Sequence, residues 1–189
     1  MPLKAVIFDF DGTLIDTSYA NYLAYSKALD KQGLSLSYSS FTKLNGMEAR
    51  DFLSILFPEI TLELIEQVCK EKSLIYPNFF SLTRLNYGLM ELAREMRKSL
   101  RLCLVTNAKN PNLHKLLEYH GIEKLFHLVI SGDMVSNPKP DAEPYMKALE
   151  MLEITNHECI ALEDSITGKL AATRAGIQVV GVSMQSFDS

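Results

Sequence analysis

The stretch VIFDFDGTLIDT, residues 6–17, begins as an apolar run and then places two carboxylates close together. A short apolar run bounded by turn residues is typical of a strand buried in a parallel sheet. Asp9 and Asp11 follow this run, and Gly12 comes directly after them. Glycine permits the sharp turn by which the chain leaves a strand. The stretch therefore predicts a core strand whose carboxyl end carries two acidic side chains.

The later part of the chain repeats this pattern of an apolar run followed by a polar turn. Including the opening stretch, five runs predict strands: Lys4–Phe8, Arg101–Val105, His127–Ile130, Cys159–Leu162 and Gln178–Val182. Helical spacing of apolar residues lies between the later runs, at Tyr87–Lys98, Asn110–Tyr119, Pro144–Leu152 and Thr167–Ala175. This alternation predicts an α/β fold with a doubly wound parallel sheet and right-handed crossovers.

The span between the first two predicted strands breaks the alternation. Residues 16–86 contain no convincing strand pattern and are far longer than an ordinary crossover. Their apolar spacing predicts helices or helix fragments at Tyr19–Leu29, Ser40–Leu44, Glu48–Leu56, Thr61–Lys70 and Leu74–Leu82. We interpret residues 16–86 as an inserted all-helical domain, and residues 1–15 and 87–189 as the α/β core.

Composition limits the classes of function. The chain has 189 residues and a formal net charge of −4, which argues against nucleic-acid binding through a basic face. Cys69, Cys103 and Cys159 are widely spaced and form no CxxC pair, which favours free thiols in a reducing compartment. No apolar stretch approaches the length of a membrane span. A cytoplasmic protein is expected.

The polar residues that follow the predicted strands should meet at one edge of the sheet, because ligands of open parallel sheets bind beyond the carboxyl ends of the strands. These residues are Asp9, Asp11, Thr106, Asn107, Ser131-Gly132-Asp133, Glu163-Asp164-Ser165 and the loop residue Lys139. Several carboxylates at one edge suit Mg²⁺, and a lysine with a hydroxyl can hold phosphate oxygens. The combination predicts a phosphoryl-transfer site.

Four short motifs lie at these positions: Asp9-Phe10-Asp11-Gly12-Thr13, Thr106-Asn107, Lys139-Pro140 and Glu163-Asp164-Ser165. In this order they resemble the four motifs of the haloacid dehalogenase (HAD) superfamily, and most closely its phosphatase and phosphomutase subgroup with a helical cap. The resemblance implies a Rossmann-like core, a cap formed by residues 16–86, and a Mg²⁺ cofactor. Ala142 stands where this family often has a second proline, which we expect to change loop stiffness and not chemistry.

The resemblance also implies roles for the motif residues. Asp9 is expected to be the nucleophile that forms an aspartyl-phosphate, and Asp11 the acid and base. Mg²⁺ is expected to bind Asp9, the backbone carbonyl of Asp11, and Asp164. Thr106 and Lys139 are expected to bind the transferring phosphoryl group.

Other residues are expected to support this site or to contact the substrate. Glu163 is expected to orient Lys139 or a metal-bound water, and Thr13 to support the metal ligands. Substrate or phosphate contacts are expected from Gly12 and Asn107 in the core and from Asn21, Asn45 and Arg50 in the cap.

Three functions are compatible with these motifs. A phosphatase for a small phosphorylated metabolite is favoured. A β-phosphoglucomutase-like phosphomutase is weakened because Asn21 stands where that subgroup has a linker histidine, and Arg50 is displaced by one position. A receiver-type regulatory domain also uses a phosphorylated aspartate, but the paired aspartates and the helical insertion argue against it. We expect a monomer or weak dimer, with no nucleic-acid or membrane partner.

Overall fold

The computed structural model describes residues 2–44 and 47–182, which form two compact units. The first unit comprises the described parts of residues 1–16 and 84–189, and the second comprises those of residues 17–83. The strands, in chain order, are β1 (Ala5–Phe8), β2 (Ile15–Asp16), β3 (Arg84–Leu85), β4 (Arg101–Val105), β5 (Leu128–Ile130), β6 (Cys159–Glu163) and β7 (Gln178–Gly181). The predicted α/β fold class, with its helical insertion, is confirmed.

The first unit is built on a five-stranded sheet in the order β5-β4-β1-β6-β7. β1 lies in the middle and pairs in parallel with both β4 and β6. All four residues of β1 are buried, as the apolar run predicts. Each of the five predicted core strands is present within one residue of its predicted bounds. The central position of β1 brings its carboxyl end between the ends of its two neighbours.

A short antiparallel pair, β2 with β3, corrects the prediction that residues 16–86 contain no strand. Ile15 pairs with Leu85 and Asp16 with Arg84, and the Arg84 guanidinium donates to the Asp16 carboxylate at 3.0 Å. Two residues per strand are too few to leave an alternating pattern in the sequence. The pairing joins the two chain segments at which the second unit begins and ends.

The helices are α1 (Ser18–Asp30), α2 (Tyr38–Lys43), α3 (Ala49–Leu56), α4 (Leu62–Ile75), α5 (Tyr87–Met96), α6 (Asn112–Tyr119), α7 (Glu143–Leu152) and α8 (Ile166–Arg174). Two 3-10 helices span Tyr76–Leu82 and Asn156–Glu158. α4 ends at Ile75 and not at Lys70 as predicted, and a 3-10 helix containing Pro77 follows it. Proline has no N–H to continue α-helical bonding, which accounts for the switch from α-helix to 3-10 helix after Ile75. No described helix is long and apolar enough to cross a membrane.

One face of the sheet packs against α7 and α8. The apolar cluster there includes Ile7 and Cys103 of the strands, Tyr145 and Ala148 of α7, and Ala171 of α8. α8 begins after Ser165, whose hydroxyl accepts a hydrogen bond from the Gly168 N–H at 3.0 Å. A serine N-cap of this kind fixes the first turn of a helix. The position of α8 behind β6 is therefore set by both its cap and its apolar face.

The second unit has its own apolar core, formed by α1 to α4. Phe41 and Phe52 are buried in it, and their rings meet edge to face with centroids 5.9 Å apart. α2 and α4 start at side-chain caps, Ser37 and Thr61. The described residues 17–83 contain helices and no strand, in keeping with the predicted insertion.

A carboxylate at the amino end of β6 ties this strand to the start of β1. Glu158 is 7% exposed, and its carboxylate accepts hydrogen bonds from Lys4 Nζ at 2.7 Å and from the Thr155 N–H at 2.9 Å. The hydrogen bond from Lys4, followed by those from Thr155, lowers the pKa of Glu158 to about 2. This site lies at the opposite end of the sheet from the predicted active site.

Candidate active site

Lys139 is a buried cation at the carboxyl end of the sheet. Its Nζ donates to Asp9 Oδ1 at 2.7 Å, to Glu163 Oε1 at 2.6 Å and to the Val105 carbonyl at 2.8 Å. Burial alone would lower the pKa of Lys139, but the charges of Asp9 and Glu163 outweigh it and raise that pKa. The ammonium group therefore remains protonated, with all three of its N–H donors engaged.

The backbone of the Lys139 loop is held by three side chains. The Asn107 side chain, at the end of β4, accepts from the Lys139 N–H at 2.9 Å and donates to the Lys139 carbonyl at 3.1 Å. The Glu143 carboxylate accepts from the backbone N–H groups of residues 136 and 137, both at 2.8 Å. Arg174 donates to the Pro140 carbonyl at 2.7 Å. These contacts fix the loop in which Ala142 replaces the frequent second proline.

Three carboxylates meet beside Lys139. One oxygen from each of Asp9, Glu163 and Asp164 lies within 4.8 Å of the other two. Burial, followed by the negative charge of Asp9, raises the pKa of Glu163 to about 7 and also raises the pKa of Asp164. The cluster thus concentrates more negative charge than the single ammonium of Lys139 balances.

Two residues of the opening motif place Asp164. The Thr13 hydroxyl donates to Asp164 Oδ1 at 3.0 Å. Gly12 has a φ of +90°, and a Cβ built on it would lie 2.2 Å from Asp164 Oδ2. Only glycine therefore allows both the backbone turn and this approach. The structure assigns Gly12 a spacing role next to Asp164, whereas its predicted phosphate contact stays a prediction.

The oxygen donors of this cluster fit Mg²⁺, which prefers carboxylates and retains several waters. A divalent cation would also neutralise charges that otherwise repel one another at short range. The structure brings Glu163, expected only to support the site, into the same cluster as the predicted ligands Asp9 and Asp164. The Asp11 side chain is not a member of that cluster, and its expected contribution was a backbone carbonyl.

Asp11 and Thr106 lie together at the ends of β1 and β4. The Thr106 hydroxyl is 3.5 Å from Asp11 Oδ2 and accepts a hydrogen bond from the Ala108 N–H at 3.0 Å. The Asp11 carboxylate is not one of the three that form the cluster with Asp9. The different neighbours of the two aspartates, Lys139 for Asp9 and Thr106 for Asp11, suit one that reacts and a second that moves protons.

The predicted cap contacts lie in the second unit. The Asn21 amide donates to the Thr17 hydroxyl at 3.1 Å, and Arg50 is exposed on α3. Asn45 lies outside the described residues. These three residues stay predictions.

Two residues that contact Glu163 were not predicted from the sequence. The Tyr145 hydroxyl donates to Glu163 Oε1 at 2.5 Å, and Gly168 leaves the space that the Glu163 carboxyl group occupies. In the sequence, Tyr145 is one of several apolar residues on a helix face. Its hydroxyl is the only signal, and it gives no indication of its partner.

The arrangement of motifs is that of a known family. The family model described as "Haloacid dehalogenase-like hydrolase" matches residues 6–182. The chain belongs to this family. Membership confirms the resemblance drawn from the four motifs and removes the receiver-type alternative, because the family is one of hydrolases.

Two curated proteins and one solved structure are similar to nearly the whole chain. A phosphorylated carbohydrates phosphatase from Thermotoga maritima is 30% identical over 93% of this chain and 83% of its own length. A validoxylamine A 7'-phosphate phosphatase from Streptomyces hygroscopicus subsp. limoneus is 28% identical over 95% and 85%, respectively. The crystal structure of a β-phosphoglucomutase from Clostridium difficile is 24% identical, covers 96% of this chain and 85% of its own, and superposes with a TM-score of 0.81. The last comparison shows a shared fold.

Proposed function

We propose that this enzyme is a Mg²⁺-dependent phosphatase that removes phosphate from a small metabolite through an aspartyl-phosphate on Asp9. The observation that carries the proposal is the position of Lys139, whose ammonium joins Asp9 to Glu163 at 2.7 and 2.6 Å. A fixed cation beside a carboxylate nucleophile stabilises the negative charge of a transferring phosphoryl group. The two phosphatase relatives support the same class of reaction.

In the first step, an Asp9 oxygen attacks phosphorus and the bond from phosphorus to the ester oxygen breaks. Asp11 gives its proton to the departing alkoxide, so the alcohol leaves neutral. In the second step, water attacks the acyl phosphate, Asp11 takes a proton from that water, and inorganic phosphate leaves. Lys139 and Thr106 hold phosphoryl oxygens in both steps.

Asp9 and Asp164, with the backbone carbonyl of Asp11, would hold Mg²⁺, and Thr13 would keep Asp164 oriented. When bound, the cation supplies charge neutralisation between the nucleophile and the incoming phosphate. Glu163 orients Lys139, since its Oε1 accepts a hydrogen bond from the ammonium.

We propose a phosphorylated carbohydrate as the substrate class, following the Thermotoga relative. A phosphomutase is the alternative, because a β-phosphoglucomutase shares the fold. Incubation with β-glucose 1-phosphate separates the two functions: a phosphatase releases inorganic phosphate and glucose, whereas a mutase accumulates glucose 6-phosphate. The cytoplasm is the proposed compartment, in agreement with three free cysteines.

The proposal is tested by hydrolysis of p-nitrophenyl phosphate with Mg²⁺ or with EDTA. We expect Asp9→Asn and EDTA each to abolish turnover. Asp30→Asn, which makes the same change at an exposed residue at the end of α1, should leave turnover unchanged. Persistent Mg²⁺-dependent turnover in the Asp9→Asn protein would refute the assignment of the nucleophile.

The covalent step has a separate readout. With Asp11→Asn, which slows hydrolysis of the intermediate, labelled phosphate should stay on the protein and be released by hydroxylamine, a reagent that cleaves acyl phosphates. Labelling that resists hydroxylamine would place the phosphate on another kind of side chain.

A further inference from the structure

Tyr145 is a fully buried tyrosine whose hydroxyl points at the charged centre of the site. It lies on α7, its hydroxyl donates to Glu163 Oε1 at 2.5 Å, and it is 0% exposed. Its ring centroid is 5.2 Å from Lys139 Nζ, within the range of a cation–π contact. Phenylalanine would fill this position in the core equally well, so the Tyr145 hydroxyl requires a role of its own.

Glu163 is fixed at both oxygens. Oε1 accepts from Tyr145 and Lys139, and Oε2 accepts from the Ser165 hydroxyl at 3.3 Å. Gly168 stands behind the carboxyl group, where a Cβ would come within about 2 Å of it. The carboxylate therefore has no room to rotate without losing one of these donors.

Lys139 must give up a partner when it binds a phosphoryl oxygen, because its three N–H donors are already engaged. One acceptor, the Val105 carbonyl, belongs to β4 and cannot move freely. Asp9 is the group that reacts. If Glu163 is anchored, the Lys139 N–H that donates to Asp9 is the one that can turn to a phosphoryl oxygen.

We propose that Tyr145 is a positioning residue: it anchors Glu163, and thereby keeps the Lys139 ammonium directed at the phosphoryl group on Asp9. This inference rests on the proposed phosphoryl transfer to Asp9. The Tyr145 ring lies over the Lys139 ammonium, and its hydroxyl acts through Glu163. It should therefore affect the rate of the chemical step more than the binding of substrate or Mg²⁺.

The test compares wild type, Tyr145→Phe, Glu163→Ala and the double variant in hydrolysis of p-nitrophenyl phosphate. Loss of a hydrogen bond to a charged group should lower kcat about tenfold in Tyr145→Phe. KM and the Mg²⁺ activation constant should change less than about twofold. In the Glu163→Ala background, the same tyrosine change should cost less than about twofold, since the acceptor is gone. Tyr119→Phe, on the half-exposed tyrosine of α6, is the control.

Each alternative result has a definite meaning. Wild-type kcat in Tyr145→Phe, or an equal loss in both backgrounds, would overturn the positioning role while leaving the proposed function intact. An unfolded Tyr145→Phe protein would make the hydroxyl a requirement of folding and would also overturn it. Inactive wild type would overturn the proposed function together with this inference. Glu163→Leu, which also offers no acceptor to the tyrosine hydroxyl, replaces Glu163→Ala in the cycle if the alanine variant does not fold.

Discussion

Replacement of Gly168 by alanine should damage this enzyme although the same change stabilises most helices. Gly168 lies inside α8, and Gly to Ala in a helix interior typically stabilises by about 1 kcal/mol. Here a Cβ would lie 2.0 Å from Glu163 Oε2 and 2.1 Å from both Glu163 Cδ and Oε1. Real Cβ contacts essentially never fall below 3.0 Å, so the carboxyl group or the helix must move by roughly 1 Å.

Either movement has a cost that exceeds the gain in helix propensity. If α8 shifts, overpacking costs about 1–3 kcal/mol. If Glu163 shifts, it loses contacts with Lys139 and Tyr145, and each hydrogen bond to a charged group contributes about 1.5–3 kcal/mol. We expect a net loss of about 1–2 kcal/mol in the free energy of unfolding. We also expect kcat to fall on the order of 10- to 100-fold, since Lys139 loses its anchor.

Gly88→Ala is the matched control, because Gly88 is also helical and its Cβ would meet only Asn86 Oδ1, at 3.9 Å. Urea unfolding should show the Gly88 variant at least as stable as wild type, and p-nitrophenyl phosphate hydrolysis should show it fully active. A Gly168→Ala protein that matches the Gly88 variant in both stability and kcat would show that Glu163 tolerates the added Cβ.

Three further predictions concern single contacts. Thr13→Ala removes the hydrogen bond to Asp164 and should raise the Mg²⁺ activation constant about 10-fold; an unchanged Mg²⁺ titration of turnover would contradict it. Asn107→Ala frees the Lys139 backbone and should lower kcat about 10-fold with little change in thermal stability, and wild-type kcat would show that the other loop contacts suffice. Glu158 has a lowered pKa in the folded state, so its stabilisation is complete above its unfolded value near 4.5 and is lost as the pH falls toward about 2. The difference in unfolding free energy between wild type and Glu158→Gln should therefore shrink from pH 7 to pH 3, and a constant difference would refute this.

The five predicted strands of the sheet are confirmed because they depend on local composition. β1 and residues 102–105 of β4 are continuous apolar runs buried on both faces, and such runs are recognisable without knowledge of their partners. β2 and β3 were missed because two residues each carry no periodicity, and their pairing depends on contact between residues 15 and 85. The end of α4 at Ile75, beyond the predicted Lys70, could have been predicted from Pro77, which cannot continue α-helical hydrogen bonding.

In the candidate site, too, some features could be predicted from the sequence and others could not. Asp9 and Asp164 were singled out because polar residues that follow parallel strands meet at one edge of the sheet, and the loop residue Lys139 because of its place in the motif order. For Asn107, a contact with phosphate was expected and stays a prediction; the structure adds that both polar atoms of its amide bind the Lys139 backbone. An amide at a strand end has several possible partners, and only the path of the Lys139 loop selects among them.

Local sequence was enough to predict the α/β alternation, the helical insertion and the order of four motifs that end at one edge of a parallel sheet. These features follow from local burial, periodicity and the direction of parallel strands. The tertiary structure alone decided that Glu163, Tyr145 and Gly168 form one unit behind Lys139. These contacts depend on how α7 and α8 pack against the sheet, and a tyrosine or a glycine on a helix has no local feature that identifies the distant carboxylate it will meet.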